Sequence, residues 1–263
     1  GEGGTISGWS PGVSATTTVT MYDDATVNPA NPAVYKGLAI ANTAGGNELF
    51  AADFHNNKID VFNSLFKKVT APGGFIDPAL PAGYAPFNIQ ALGNMLYVAY
   101  AVQDAKKHDE TDGVGLGLVD VFDLNGNLAQ HLIPVGGALN APWGLSMAPS
   151  DFGAFSGDLL VGNFGDGRIN VYNPVTGTFV AALSDSSGKA IAIPGLWGIA
   201  FGNDAVQQPH NALFFTAGPN GEADGLYGRI DLPGNSPAGS SSSGGSGSSS
   251  SSSGGTTPTP IGY

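Results

Sequence analysis

LFAADFHNNKIDVFN, from Leu49 to Asn63, reads as an apolar strand, a tight polar turn and a second strand. The same unit recurs as LYVAYA…GLVDVFD (Leu96 to Asp123), LLVGNFGDGRINVYN (Leu159 to Asn173) and LFFTAG…GLYGRID (Leu213 to Asp231). A shorter apolar run precedes each copy: YKGLAIA, APFNIQAL, APWGLSMA and GLWGIAF. The alternation in Ile59-Asp60-Val61-Phe62 and Ile169-Asn170-Val171-Tyr172 is that of strands with one face packed on a neighbour. Gly165-Asp166-Gly167, Asn56-Asn57 and Asn125-Gly126-Asn127 supply turn residues that tolerate positive φ. Repeats of this length made only of strands predict an all-β fold, a β-propeller with one repeat per blade.

Four strands per blade are expected, A innermost to D outermost. In the first complete blade they fall near Val34–Ala41, Glu48–Asp53, Lys58–Asn63 and Phe66–Val69. In the second they fall at Phe87–Leu92, Met95–Ala101, Leu118–Asp123 and Asn127–Ile133, and in the third at Trp143–Ala148, Asp158–Asn163, Arg168–Asn173 and Thr178–Leu183. The last copy carries A near Leu196–Phe201, B at Ala212–Ala217 and C at Leu226–Asp231, and then the composition changes. At the other end GTISGW resembles a C strand and TTTVTMY a D strand, with no A or B before them. About four and a half blades span residues 1–232, and an open arc of that kind exposes strand edges that proteins normally cover. A missing upstream piece is the favoured explanation, ahead of closure by the N-terminal strands or completion by another chain. Residues 233–263, rich in Ser, Gly, Thr and Pro, are expected to be a flexible tail or stalk.

Charge narrows the functional classes. Nine basic residues stand against 21 acidic ones, a net charge of −12, which repels nucleic acid and anionic membranes. There is no cysteine, so disulfides, thiolate metal sites and a cysteine nucleophile are excluded. No apolar run is long enough to span a bilayer. The start at Gly1, with no leader-like segment, suggests that upstream residues were removed or left out.

The unit ADFHNNKIDVF resembles the NHL repeat. Beyond it, GTISGW, VYKGLAIANTAGGNELFAADF, DPALPAGYAPFNIQ, KHDETDGVG, APWGLSMAPSDFGAFSGDLLVGNFGDGRIN and FFTAGPNGEADGLYG resemble a family of secreted bacterial NHL-like propeller proteins, some with PEP-CTERM-type sorting signals. The resemblance implies a six-bladed ring of which this chain lacks about the first third, and an extracellular or cell-surface location. It implies no activity. The hydrophobic segment and basic end of the sorting signal are not present in this sequence.

Three sets of residues are candidates for function. The loop from Asp104 to Gly117 joins strands B and C of one blade, and Asp104, Asp109 and Asp112 in it could wrap a hard cation such as Ca2+. A solvated acidic loop is the plainer reading, since the spacing does not match an EF-hand and Lys106 and Lys107 dilute the charge. B–C loops and D–A connections emerge on one face of a propeller, which therefore also gathers His55, Asp166, Glu222 and Asp224. Phe87, Trp143 and Trp197 occupy equivalent positions on strand A, with Lys36 in the fourth copy, and could form a stacking surface in the central channel or simply pack it. Asn88 adjoins them and is the one residue that approaches the Pro-Asn-Gly motif of gluconolactonase-type enzymes, one place out of register.

No Gly-x-Ser-x-Gly elbow, Walker-type loop or metal-ligand spacing of His55, His108, His131 and His210 is present. The expected function is a secreted or surface binding module for a cation, a glycan or a protein partner. Edge-to-edge self-assembly is the second reading, and a metal-dependent lactonase-like hydrolase the third.

Overall fold

The computed structural model describes residues 1–232; the expected flexible tail lies outside the described residues. The chain opens with a hairpin of β1 (Thr5–Gly8) and β2 (Val19–Asp23), then one helical turn, α1 (Asp24–Val27). The first four-stranded sheet is β3 (Tyr35–Thr43), β4 (Gly46–Asp53), β5 (Lys58–Phe62) and β6 (Lys68–Val69). The second contains β7 (Tyr84–Leu92), β8 (Met95–Gln103), β9 (Glu110–Thr111), β10 (Leu118–Asp123) and β11 (Leu128–Ile133). The third is β12 (Pro142–Met147), β13 (Leu159–Asn163), β14 (Ile169–Tyr172) and β15 (Phe179–Ala182). Within the described residues the last sheet stops at three strands, β16 (Leu196–Phe201), β17 (Leu213–Ala217) and β18 (Leu226–Ile230).

Every sheet is an antiparallel meander in chain order, and the first strand of each packs on the first strand of the next: β3 on β7, β7 on β12, β12 on β16. These are the blades of a β-propeller with their A strands lining the axis. The short strand β9 is an addition to the expected pattern. Thr111 and Glu110 pair with Val102 and Gln103, so the acidic loop begins as an extension of β8 rather than as free coil.

Apolar residues fill the spaces between blades. Phe50 from the first blade, Phe75 from the connection that follows it and Phe122 from the second meet in tilted and edge-on contacts at 5.3–5.8 Å between ring centroids. Burying each such ring is worth about 1.5–3 kcal/mol. The β1–β2 hairpin packs on the first blade through Ile6 and Tyr22, which meet Tyr35, Ala51 and Phe62. Both faces of β7 are buried, whereas Leu38 and Ile40 on β3 are 48% and 64% exposed.

Candidate functional site

Each inner strand carries a register irregularity at the same place. The pairing of β3 with β4 steps over Lys36, that of β7 with β8 steps over Phe87, and that of β12 with β13 steps over Trp143. In β16 the irregularity falls between Leu196 and Ile199, at Trp197. A bulge turns one side chain out of the ladder and re-aims it, here toward the axis. The residue after the bulge is Gly37, Asn88, Gly144 or Gly198, and the inner strands approach so closely that a Cβ at Gly144 would meet the Trp197 carbonyl oxygen at 2.9 Å.

Three of the re-aimed side chains form one aromatic group, which Lys36 joins through its main chain. Trp197 packs against Phe164, Trp143 and Phe87 with centroid distances of 4.4, 5.5 and 5.7 Å. Phe87 is fully buried and also packs against Phe54, with ring centroids 5.4 Å apart. The Trp143 indole donates to the Lys36 carbonyl at 3.0 Å, linking the third blade to the first. Asn88 is buried and donates through Nδ2 to the Trp143 carbonyl at 2.7 Å. Lys36, its side chain 4% exposed, forms ion pairs with Glu2 and, at 2.9 Å, with Asp109. Burial opposes the Lys36 charge, but the two carboxylates outweigh it and hold the ammonium above its usual range.

The acidic loop thus folds inward over this group. His55 Nδ1 lies 3.2 Å from the Lys107 carbonyl, and His108 Nδ1 lies 3.0 Å from Asp109 Oδ1. Burial pushes the Asp109 carboxyl up, yet Lys36 and His108 together bring it below its ordinary value. Asp104 Oδ1 accepts the backbone N–H groups of His108, Lys106 and Asp109, which turns the loop and lowers the Asp104 pKa. Asp112 is raised by burial and then by Asp166. Asp104, Asp109 and Asp112 do not converge into one ligand set among the described residues.

Glu222 accepts the Trp197 indole N–H at 2.6 Å, so it joins the aromatic group. Asp224 accepts from Asn220, and Asp166 accepts from Asn163 Nδ2 and the Arg168 backbone N–H, within their own turns. Beside Lys36 a cleft of about 630 Å3 opens, lined by Glu2, Val34, His55, Asp104, His108 and Asp109 among others.

Sequence spacing puts no histidine in a metal-ligand pattern, but folding brings one of the four beside carboxylates distant in sequence. His131 lies between two carboxylates, with Nδ1 2.6 Å from Asp120 Oδ1 and Nε2 3.3 Å from Asp77 Oδ2. Burial raises the Asp120 pKa to about 6, with His131 drawing it back down and Asp77 pushing it up. Asp120 and His131 are cross-strand partners, and the sequence signal for that pair is the recurrence of a polar residue at Asp60, Asp120 and Asn170. Asp77 stands in an irregular connection and has no such signal.

Comparison with known proteins agrees with the architecture. Two solved structures share it: a protein of unknown function from Bacteroides thetaiotaomicron, with 12% identity and a TM-score of 0.52 over 86% of this chain and 54% of that one, and a candidate gluconolactonase, with 15% identity and a TM-score of 0.50 over 88% and 71%. The fold is a β-propeller. No protein-family profile matches the chain. In sequence it is 34% identical over 238 residues to an uncharacterised protein of Acanthamoeba polyphaga mimivirus, covering 87% of this chain and 55% of that one. A second uncharacterised mimivirus protein is 34% identical over 206 residues, 75% of this chain and 51% of that one. The chain therefore spans about half the length of the curated relatives it matches.

Proposed function

We propose that this propeller is a binding module that takes a neutral polyhydroxylated ligand, a glycan, in the cleft beside Lys36. The observation that supports this is the state of the polar groups lining it. Glu2 and Asp109 share the Lys36 ammonium, and Asp104 Oδ1 accepts three backbone N–H groups, so these carboxylates are already committed to partners within the chain rather than aimed together at a cation. What remains is a set of fixed donors and acceptors, including His55 and His108, next to an apolar strip of Pro32, Ala33 and Val34. Directional polar groups beside an apolar surface suit a sugar ring, and the volume is that of an ordinary ligand site. The family resemblance supports an extracellular or cell-surface setting.

Calorimetry with neutral oligosaccharides tests the proposal. Saturable binding is expected, and His108→Ala should weaken it roughly tenfold, the loss of one or two hydrogen bonds at about 1 kcal/mol each. Absence of saturable glycan binding, or binding untouched by that substitution, would refute it.

A second reading rests on the two end faces of the arc. Leu38 and Ile40 are bare at one end, and at the other Phe214 stacks on Tyr227, which is 61% exposed. Apolar faces of this kind invite further blades, and self-assembly between copies would supply them. Mass measured by light scattering as concentration rises tests that reading, with Tyr227→Ser expected to reduce any association.

A further inference from the structure

In two successive blades a basic side chain on the outer strand lies between two buried aspartates, a lysine in one and a histidine in the other. In the first blade Asp24 follows the preceding outer strand, Asp60 stands on β5, and Lys68 on β6 reaches both carboxylates, at 3.3 and 2.6 Å. The second blade assembles a comparable set from Asp77 before β7, Asp120 on β10 and His131 on β11, although His131 pairs directly with Asp120 whereas Lys68 pairs with Phe62, two residues beyond Asp60. There the imidazole spans two carboxylates at the same pair of distances, 2.6 and 3.3 Å.

The charge balance is not the same. Lys68 brings a permanent positive charge between Asp24 and Asp60, and Lys58 adds a second contact to Asp60 at 3.1 Å. Tyr35 also donates to Asp60 and Tyr22 to Asp24. In the second blade the Asp77 and Asp120 side chains are 1% and 0% exposed, and Oδ2 of each has no hydrogen-bond partner. A neutral imidazole offers one N–H to this pair. Two buried carboxylates with unpartnered oxygens are unfavourable unless a cation compensates them.

We infer that Asp77, Asp120 and His131 form a binding site for a divalent transition-metal ion, with His131 as the nitrogen ligand. One ligand atom from each of the three lies within 4.8 Å of the others. Two carboxylates match a divalent charge, and the imidazole–carboxylate donor set suits Zn2+ or Mn2+, with water completing the shell. The His131 side chain is 39% exposed, which leaves the ion a route from solvent. The ion in the second blade then does what the Lys68 ammonium does in the first: it ties an outer strand to the connection that starts the blade.

The test is Zn2+ titration of the metal-stripped chain, followed by calorimetry and thermal unfolding. One equivalent should bind, and a hundredfold excess over Kd should raise Tm by roughly 5–10 °C. His131→Lys puts a covalent cation beside the same two carboxylates, so it should fold well without metal and lose the Zn2+ response. Asp77→Asn should lose most of that response and provides the reading if the lysine variant does not fold. No saturable Zn2+ uptake, or a full Tm rise retained in both variants, would overturn the inference.

Discussion

Gly37→Ala probes the close approach of the inner strands on which the whole channel group depends. A Cβ at this position would lie 2.6 Å from the Asn88 Cα and closer still to Asn88 Oδ1. One of these atoms is backbone, so a rotamer change cannot relieve the clash. β3 and β7 must separate, and Asn88 moves with β7 and loses its bond to the Trp143 carbonyl. Overpacking costs about 1–3 kcal/mol, and a buried amide deprived of its partner about 1–3 kcal/mol more. The lower conformational entropy of the unfolded alanine chain returns about 0.4–1 kcal/mol. A net loss of about 3 kcal/mol follows, and at roughly 2–4 °C per kcal/mol for a domain of this size Tm should fall by about 6–12 °C. Thermal unfolding followed by near-UV circular dichroism measures this, with Gly137→Ala as the control because a Cβ there would meet nothing within 4 Å. A Gly37→Ala chain that melts within about 2 °C of the wild type would refute the argument that strand contact, rather than backbone conformation, requires glycine here.

Trp143→Phe removes the indole bond to Lys36 that joins the third blade to the first, and a loss of about 1–3 kcal/mol is expected in urea unfolding, against less than about 0.5 kcal/mol for Trp9→Phe on the surface. Burial holds the Glu110 carboxyl above its usual 4.5, so the folded chain keeps a proton that the unfolded chain releases. Stability from this group therefore falls as pH rises from 4.5 through the raised value, and Glu110→Gln should gain on the wild type between about pH 4 and about pH 7. Urea midpoints at the two pH values check the sign, and a variant that loses ground over that interval contradicts it.

Much of the architecture was legible because strand periodicity and turn chemistry are local. The predicted strands Leu118–Asp123 and Leu196–Phe201 coincide with β10 and β16, and the other blade strands differ by a few residues at their ends. The candidate site was legible in part. Aligning the repeats put Lys36, Phe87, Trp143 and Trp197 in register, and the structure brings their side chains and main chains into one group through the bulges. The acidic loop showed its charge but not its partners. Asp104 turns out to cap its own loop, and Asp109 is taken by Lys36, a residue 73 positions away. Asp77 gave no signal at all, since an aspartate in an irregular connection has neither period nor motif around it.

The sequence by itself determined that strands form, where they turn, and which positions of successive blades are equivalent, because those properties depend on neighbours a few residues apart. Tertiary structure decided which equivalent positions touch and what each carboxylate faces. Lys68 and His131 stand on equivalent outer strands at different registers and each reaches two aspartates, yet one supplies a fixed charge and the other does not. That difference acquires consequences only when folding buries two aspartates beside each of them and removes the water that would otherwise screen their charge.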